Sequence, residues 1–137
     1  MGNPVPAFES TIVRYQEMLR ELLGRPPVPF DGDLRGALPT AGGVYRILEK
    51  AAGWQSSVYV GKSGNLRRRI YGNHLMGNRG ASILKRKLIR DGLYPDENVV
   101  KEYLSDRCLV QSLVVDDYDR AYFEHFAVAI LRPRYND

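Results

Sequence analysis

The sequence predicts one small domain of mixed α and β class (α+β): a three-stranded antiparallel sheet flanked by helices, with an extra N-terminal helix. The length of 137 residues is the common size for a single domain. Short β-branched runs between turn residues are interspersed with longer segments in which apolar residues recur at helical spacing. Cys108 is the single cysteine, which excludes an internal disulfide and a cysteine-based zinc cluster.

The first predicted element is an amphipathic helix between Ser10 and Gly24, where apolar residues recur at helical spacing. Residues 25–40 contain four prolines and are predicted to form an irregular wrap. We therefore divide the chain into residues 1–37, which hold the helix and most of the wrap, and residues 38–137, where we expect the chemistry.

Three strands and four further helices are predicted in residues 38–137. The β-prone runs at residues 43–49 and 57–62 lie close enough along the chain to form a hairpin. Residues 108–115 are predicted as the third strand, because this run is short and β-branched. The helices are predicted at about residues 66–75, 81–90, 97–105 and 118–131, and the last one ends before Pro133.

Positive charge is concentrated in one part of the chain, although the net charge is only +4. Between Lys62 and Arg90 there are nine lysines and arginines and no acidic residue. Such a run is typical of a surface that contacts the phosphate backbone, and the alternative is a solvated helical face. The DNA-binding candidates are Arg67, Arg68, Arg79, Lys85, Arg86, Lys87 and Arg90.

Glu124 is conspicuous because its helix is apolar nearly all round. The carboxylate shares a helix face with small and apolar side chains, so we expect it to be partly buried. Burying an unpaired charge costs several kcal/mol. Glu124 is therefore expected to meet a cation, either a metal ion or a basic side chain, with a salt bridge to Arg120 as the structural alternative.

Two tripeptides in the predicted hairpin carry a family resemblance. The first strand contains Gly43-Val44-Tyr45 and the second contains Tyr59-Val60-Gly61. Lys62 follows directly, Arg69 comes ten residues after Tyr59, Glu124 lies in the late helix, and Asn136 follows Arg132-Pro133-Arg134-Tyr135. In these features residues 38–137 resemble the GIY-YIG nuclease superfamily.

The resemblance implies a role for each of these residues. Tyr45 would be the general base and Tyr59 would orient water or phosphate, although members of the family differ over which tyrosine is the base. Arg69 and Lys62 would contact the phosphate or acidify the phenol. Glu124 would hold a single Mg²⁺ or Mn²⁺ ion, and Asn136 would tie the chain end back to the site.

One position departs from the family pattern. Many members carry a histidine or tyrosine one turn after the arginine, and that position here is Asn73. Tyr71 and His74 are the nearby candidates, and a helix that ended at Gly72 would allow His74 to turn inward. His125 is predicted to be an ordinary core or surface histidine.

The resemblance implies a divalent-metal-dependent DNA endonuclease that hydrolyses one strand at a time. The alternative is a nucleic-acid-binding module with the same fold and no turnover; a small RNA-associated protein is a weaker third interpretation. Specificity for the DNA would come from the N-terminal helix, the basic segments, a homodimer or a partner protein. We expect a cytoplasmic protein without membrane contact, because no apolar run approaches a bilayer span and the first residues lack a signal-peptide layout.

Overall fold

The fold is of mixed α+β class, with helices on both faces of a four-stranded antiparallel sheet. The structure is a computed structural model that describes residues 4–50, 57–76, 82–90, 92 and 94–136. The strands are β1 Val28–Pro29, β2 Gly43–Glu49, β3 Ser57–Ser63 and β4 Cys108–Val114, in the spatial order β1-β4-β2-β3. The helices are α1 Pro4–Gly24, α2 Leu34–Ala37, a π-helix Arg68–Leu75, α3 Ile83–Arg90, α4 Glu97–Arg107 and α5 Asp117–Leu131.

The sheet has one strand more than the three predicted. Strand β1 lies in the proline-rich wrap, where Val28 pairs with Val110 and Pro29 with Leu109. Proline cannot donate to a sheet ladder and is tolerated on an edge strand, which is where β1 lies. A two-residue strand that contains a proline has no periodic pattern from which it could be predicted.

Strand β2 is central and separates two apolar cores. Tyr45 and Ile47 on one face join the core beneath the π-helix, α3 and α4. Val44 on the other face packs with Leu113 of β4 and Phe123 of α5 in the second core, which α1 also covers. The alternation of side chains along β2 therefore decides which residues face the π-helix, α3 and α4 and which face α1 and α5.

Helix α1 is docked onto α5 and the sheet by polar as well as apolar contacts. Asp119 accepts hydrogen bonds from Arg14 Nη2 at 2.9 Å and from the Tyr15 hydroxyl at 3.0 Å. In the proline-rich wrap that follows α1, Leu34 and Leu38 both pack in the core that contains Tyr45 and Ile47. Residues on both sides of the predicted boundary at 37 and 38 therefore pack together.

The last two helices begin at aspartate caps. Asp96 accepts from the backbone N–H of Val99, and Asp116 accepts from that of Asp119. Helix α5 ends at Arg132, whose φ of 49° is left-handed. No helix in the described part of the chain is both long enough and apolar enough to cross a membrane.

Candidate active site

The two tyrosines of the tripeptides lie on one face of the sheet, above a glycine. The register pairs Tyr45 with Gly61 and Ile47 with Tyr59, so the phenols are diagonal neighbours with ring centroids 6.2 Å apart. A Cβ atom at position 61 would lie 2.5 Å from Tyr45 Oη and 2.9 Å from the Tyr59 ring. Only glycine leaves space for both rings, which gives a physical reason for the glycine in the second tripeptide.

Tyr45 is one end of a buried hydrogen-bonded chain. Its hydroxyl lies 2.5 Å from His74 Nε2, and His74 Nδ1 lies 2.6 Å from Ser82 Oγ. Ser82 Oγ also accepts from the backbone N–H of Lys85 at 3.1 Å. All three side chains of the chain are at most 1% exposed, so the phenol is held in a fixed position.

The π-helix explains how His74 reaches Tyr45. In an α-helix the residue one turn after Arg69 is Asn73, but a π-helix bonds each residue to the fifth one before it. Met76 N donates to Tyr71 O at 3.0 Å in this pattern. The wider turn brings His74 into register with Arg69. The helix continues to Leu75, close to the predicted end, so His74 reaches Tyr45 from within the helix and not through a helix end at Gly72.

The charges of Arg69 and Glu124 both act on the Tyr45 hydroxyl. The pKa of Tyr45 is well above its usual value, first because the phenol is buried and then because of Tyr59. Arg69 lowers this pKa and Glu124 raises it. The fold therefore brings together two phenols, a guanidinium and a carboxylate that lie far apart in the sequence.

His74 is a neutral imidazole at physiological pH. Burial, followed by the positive charges of Arg69 and Lys85, lowers its pKa to about 3. A neutral ring has one N–H donor and one acceptor, so its two bonds must run in one direction: from Tyr45 towards Ser82, or from Ser82 towards Tyr45.

Glu124 is partly buried, with 17% of its side chain exposed. Its only ion-pair partner among the described residues is His125, at 3.7 Å on the solvent side. Arg120 pairs with Asp117 at 2.9 Å, so the alternative of an Arg120–Glu124 salt bridge is not observed. A single hard carboxylate fits Mg²⁺ or Mn²⁺, which keep most of their water ligands. No group of three or more metal-binding side chains occurs in the described ranges.

Asn136 lies on the outer edge of β3, beside the tyrosine pair. Its amide donates to Val60 O at 2.7 Å and accepts from Val60 N at 2.9 Å. Arg134 N and Tyr135 N donate to the carbonyls of Ser57 and Val58 in the same way. The C-terminal segment thus binds along the outer edge of β3 and holds the backbone of Val60, between Tyr59 and Gly61.

A basic cleft of about 310 Å³ is connected to these groups through Arg69, which lines it, whereas Tyr45, Tyr59 and Glu124 do not. It lies between the end of β3, the π-helix and the first turns of α5, and Ala121 on its wall is one turn before Glu124. The residues that line it are Lys62, Ser63, Gly64, Arg69, Asp117, Arg120 and Ala121. Sequence reasoning had considered Arg120 only as a partner for Glu124, because its helix register relative to β3 cannot be derived from spacing.

Two of the predicted DNA-binding lysines are structural. Lys85 and Lys87 are 2% and 7% exposed. Lys85 Nζ donates to Leu75 O, which caps the π-helix, and Lys87 Nζ donates to Tyr135 O, which fixes the C-terminal tail. This corrects the expectation that they contact DNA, because buried ammonium groups held by carbonyls cannot reach a phosphate.

The remaining residues that were predicted for the site or for DNA binding lie in different parts of the structure. Arg67 is half-buried and its Nε donates to Leu38 O. Tyr71 lines a separate depression of about 290 Å³ with Phe30 and Leu75 and does not join the tyrosine pair. Arg68, Arg86 and Arg90 are exposed, and Arg79 lies outside the described residues.

A small α+β domain that gathers phenols, a carboxylate and a guanidinium that lines a basic cleft has the kinds of group that nuclease-type catalytic domains use. Residues 41–108 match a family model described as the GIY-YIG catalytic domain. The chain therefore carries a GIY-YIG domain, as the resemblance predicted. The match includes Tyr45, Tyr59, Arg69 and His74 and ends before Glu124.

Solved structures with similarity to this chain include the GIY-YIG N-terminal endonuclease domain of UvrC from Thermotoga maritima, described as bound to its catalytic divalent cation, magnesium. It is 19% identical with a TM-score of 0.45, and the alignment covers 78% of this chain and 99% of that chain. A point mutant of the same domain with its divalent cation is 18% identical, also at 0.45, covering 78% and 98%. A search of curated protein sequences found no match.

Proposed function

We propose that this protein is a divalent-metal-dependent DNA endonuclease that hydrolyses one strand at a time. The observation that supports it most directly is the surroundings of Tyr45. The phenol is fixed over Gly61, bonded to a neutral histidine, and subject to the opposite charges of Arg69 and Glu124. A base, a guanidinium for the phosphate and a carboxylate for a cation are the groups that phosphodiester hydrolysis needs.

Tyr45 is the proposed general base, with its proton directed into the site. Ser82 Oγ accepts from Lys85 N–H, and in the proposed direction its own proton is donated to His74 Nδ1. His74 Nε2 then carries the ring proton and donates it to the Tyr45 oxygen. In this arrangement the imidazole stabilises the phenolate of Tyr45, which forms when the phenol gives up its proton to solvent. The phenolate then takes a proton from the attacking water and returns to the phenol.

Glu124 adds to the raised pKa of Tyr45, for which burial and Tyr59 are the larger causes. Below its pKa a tyrosine is a weak base, and the negative charge of Glu124 is one cause of the shift. When that charge is neutralised this cause disappears, whereas the favourable charge of Arg69 remains. The carboxylate therefore connects cation binding to the basicity of the phenol across the sheet.

Glu124 would hold the Mg²⁺ or Mn²⁺ ion, which when bound neutralises charge on the phosphate and on the leaving oxygen. Arg69 presents its guanidinium to a phosphate oxygen in the cleft. Tyr59, which is 9% exposed, orients the water or the phosphate. Asn136 positions both tyrosines through the backbone of Val60.

The proposed DNA contact uses the basic cleft and the exposed arginines around it. Arg68 precedes the site on the π-helix, whereas Arg86 and Arg90 lie on α3. One site cuts one strand in each encounter, so a double-strand break would need a second visit or a second copy of the chain. A homodimer or a partner protein would supply specificity.

A plasmid-nicking assay with Mg²⁺ or Mn²⁺ tests the proposal. The wild type should convert supercoiled DNA to the open circle, and Glu124→Gln should lose cutting while keeping salt-sensitive DNA binding. Glu9→Gln, the same change at an exposed glutamate of α1, is the matched control and should cut normally. Cutting by Glu124→Gln at the wild-type rate would contradict the proposed metal site.

The non-catalytic binding module remains the second candidate function. It is favoured by one observation: the Tyr45 phenol is 1% exposed and its pKa is raised. If wild-type protein binds DNA but nicks no DNA form with either metal, this function replaces the nuclease.

A further inference from the structure

The cleft holds an arginine to which the proposed catalytic set assigns no role. Arg120 lies on the first turns of α5, with 19% of its side chain exposed. Its Nε donates to Val115 O at 3.3 Å and its Nη1 donates to Asp117 at 2.9 Å. The guanidinium therefore has a defined orientation at the wall of the cleft rather than a free solvent-exposed position.

The Arg120 guanidinium packs closely against Gly42. A Cβ atom at position 42 would lie 2.2 Å from Arg120 Nη2 and 2.5 Å from Cζ, so no other residue leaves room for it. The carbonyl of Gly42 accepts from Val115 N at 3.1 Å, and the carbonyl of Val115 accepts from Arg120 Nε. Val115, in the connection between β4 and α5, therefore forms hydrogen bonds with both Gly42 and Arg120.

The net positive charge that lines the cleft exceeds the single negative charge of one phosphodiester group. Three cations line it, Lys62, Arg69 and Arg120, against one carboxylate, Asp117. Asp117 is 95% exposed, and a surface ion pair of this kind is weak and easily exchanged. An arginine fork suits two oxygens of one phosphate group.

We propose that Arg120, seated over Gly42, is a second phosphate-binding residue. Together with Lys62 it holds a phosphate that flanks the scissile one on the same strand, and Asp117 gives way when the strand enters. This inference rests on the proposed function and deepens it, because it assigns the cleft to the strand being cut and makes Arg120 a determinant of substrate position.

DNA binding in the absence of metal tests the proposal without turnover. The affinity of a fluorescent oligonucleotide is measured by anisotropy over a series of salt concentrations. Arg120→Gln should weaken binding about tenfold and reduce the slope of log K against log salt by about 0.7 to 0.9, as expected for one lost phosphate contact. Arg132→Gln is the control, because it removes the same charge about 18 Å further along α5.

Gly42→Ala provides an independent test, since its Cβ would displace only the end of a flexible side chain. It should weaken binding nearly as much as Arg120→Gln, and it should add nothing in the Arg120→Gln background. Thermal unfolding of each variant checks that the fold is retained. Wild-type affinity in Gly42→Ala, or an equal effect of Arg120→Gln and Arg132→Gln, would overturn the proposal, as would a wild-type protein that binds no DNA.

Failure of this inference is distinguishable from failure of the proposed function. A wild-type protein that nicks DNA while Arg120→Gln binds normally rejects the second phosphate residue and keeps the nuclease. A wild-type protein that never nicks, but loses affinity in Arg120→Gln and Gly42→Ala, keeps the phosphate residue in a binding module.

Discussion

Tyr45 and Arg46 are adjacent on β2, both are almost completely buried, and each begins a polar network on its own face of the sheet. Arg46 donates to Ser57 Oγ at 2.8 Å and to Gln111 Oε1 at 2.9 Å, and Gln111 donates to the carbonyls of Leu23 and Arg25. That network ends on the main chain at the end of α1, which it holds against the sheet.

The network of Tyr45 ends differently. It runs through His74 to Ser82 at one end, and at the other the phenol is subject to the charges of Arg69 and Glu124 beside the cleft. A buried network that closes on the main chain stabilises the fold, whereas one that ends in a perturbed titratable group beside a cleft is a candidate for chemistry. Burial and polarity alone do not distinguish the two residues.

The largest expected effect concerns the rate of cutting. Tyr45→Phe keeps the ring but removes the proposed base, so single-turnover nicking should fall about a thousandfold. Stability should fall by only about 1 kcal/mol, the cost of one buried hydrogen bond. Nicking rates normalised to the folded fraction check this, and a rate within a factor of a few of the wild type would remove Tyr45 from the mechanism.

The reverse result is expected for Arg46. Arg46→Met leaves the Gln111 carbonyl without its donor, so the free energy of unfolding should fall by about 3 kcal/mol in urea titrations. The folded fraction should still nick DNA at nearly the wild-type rate. A stable but inactive Arg46→Met would show that both faces of β2 take part in the chemistry.

Gly61→Ala should disturb the tyrosine pair from below. The added Cβ would force the two phenols apart, which should slow nicking by about tenfold to a hundredfold and lower stability by about 1 to 3 kcal/mol. Gly36→Ala is the control, because nothing lies within 4 Å of a Cβ at that position. Equal behaviour of the two variants would contradict the close packing at Gly61.

The two histidines should differ in how they affect stability at low pH. The pKa of His74 falls from 6.5 to about 3 on folding, so the unfolded chain binds more protons between these values. The stability that His74 contributes is complete above pH 6.5 and is lost as the pH falls towards 3, at no more than about 1.4 kcal/mol per pH unit. Urea titrations at several pH values from 4 to 6 give the free energy of unfolding at each pH. This free energy should rise less steeply with pH in His74→Gln than in the wild type.

His125→Gln supplies the control for that experiment, since His125 is 75% exposed. This control removes an exposed imidazole and leaves the buried one in place. An unchanged slope in His74→Gln would mean that the imidazole is not held neutral by its surroundings.

The sequence was sufficient for the hairpin and the tyrosine pair because alternation along a strand determines which side chains share a face. It was also sufficient for the late helix and the partial burial of Glu124. Strand β1 could not be predicted, since two residues with Pro29 carry no period. The π-helix could not be predicted either. The spacing of apolar side chains indicates a helix, but it does not show whether each backbone N–H bonds to the fourth or to the fifth residue before it.

The basic run illustrates a second limit. Lys85 and Lys87 belong to a charge pattern typical of a surface, yet their stems lie in the core and their ammonium groups bind carbonyls. Arg120 was overlooked as a cleft residue for the opposite reason. Its neighbour in space, Gly42, is far from it in the sequence, and only the folded chain brings the two into contact.

The identity of the base is tested most directly by single-turnover nicking between pH 6 and 9. Because the pKa of Tyr45 lies well above this range and that of His74 well below it, the wild-type rate should rise about tenfold per pH unit without a plateau. Tyr45→Phe should be slow at every pH. A wild-type rate that stays flat or levels off within this range would contradict the assignment of Tyr45 as the base.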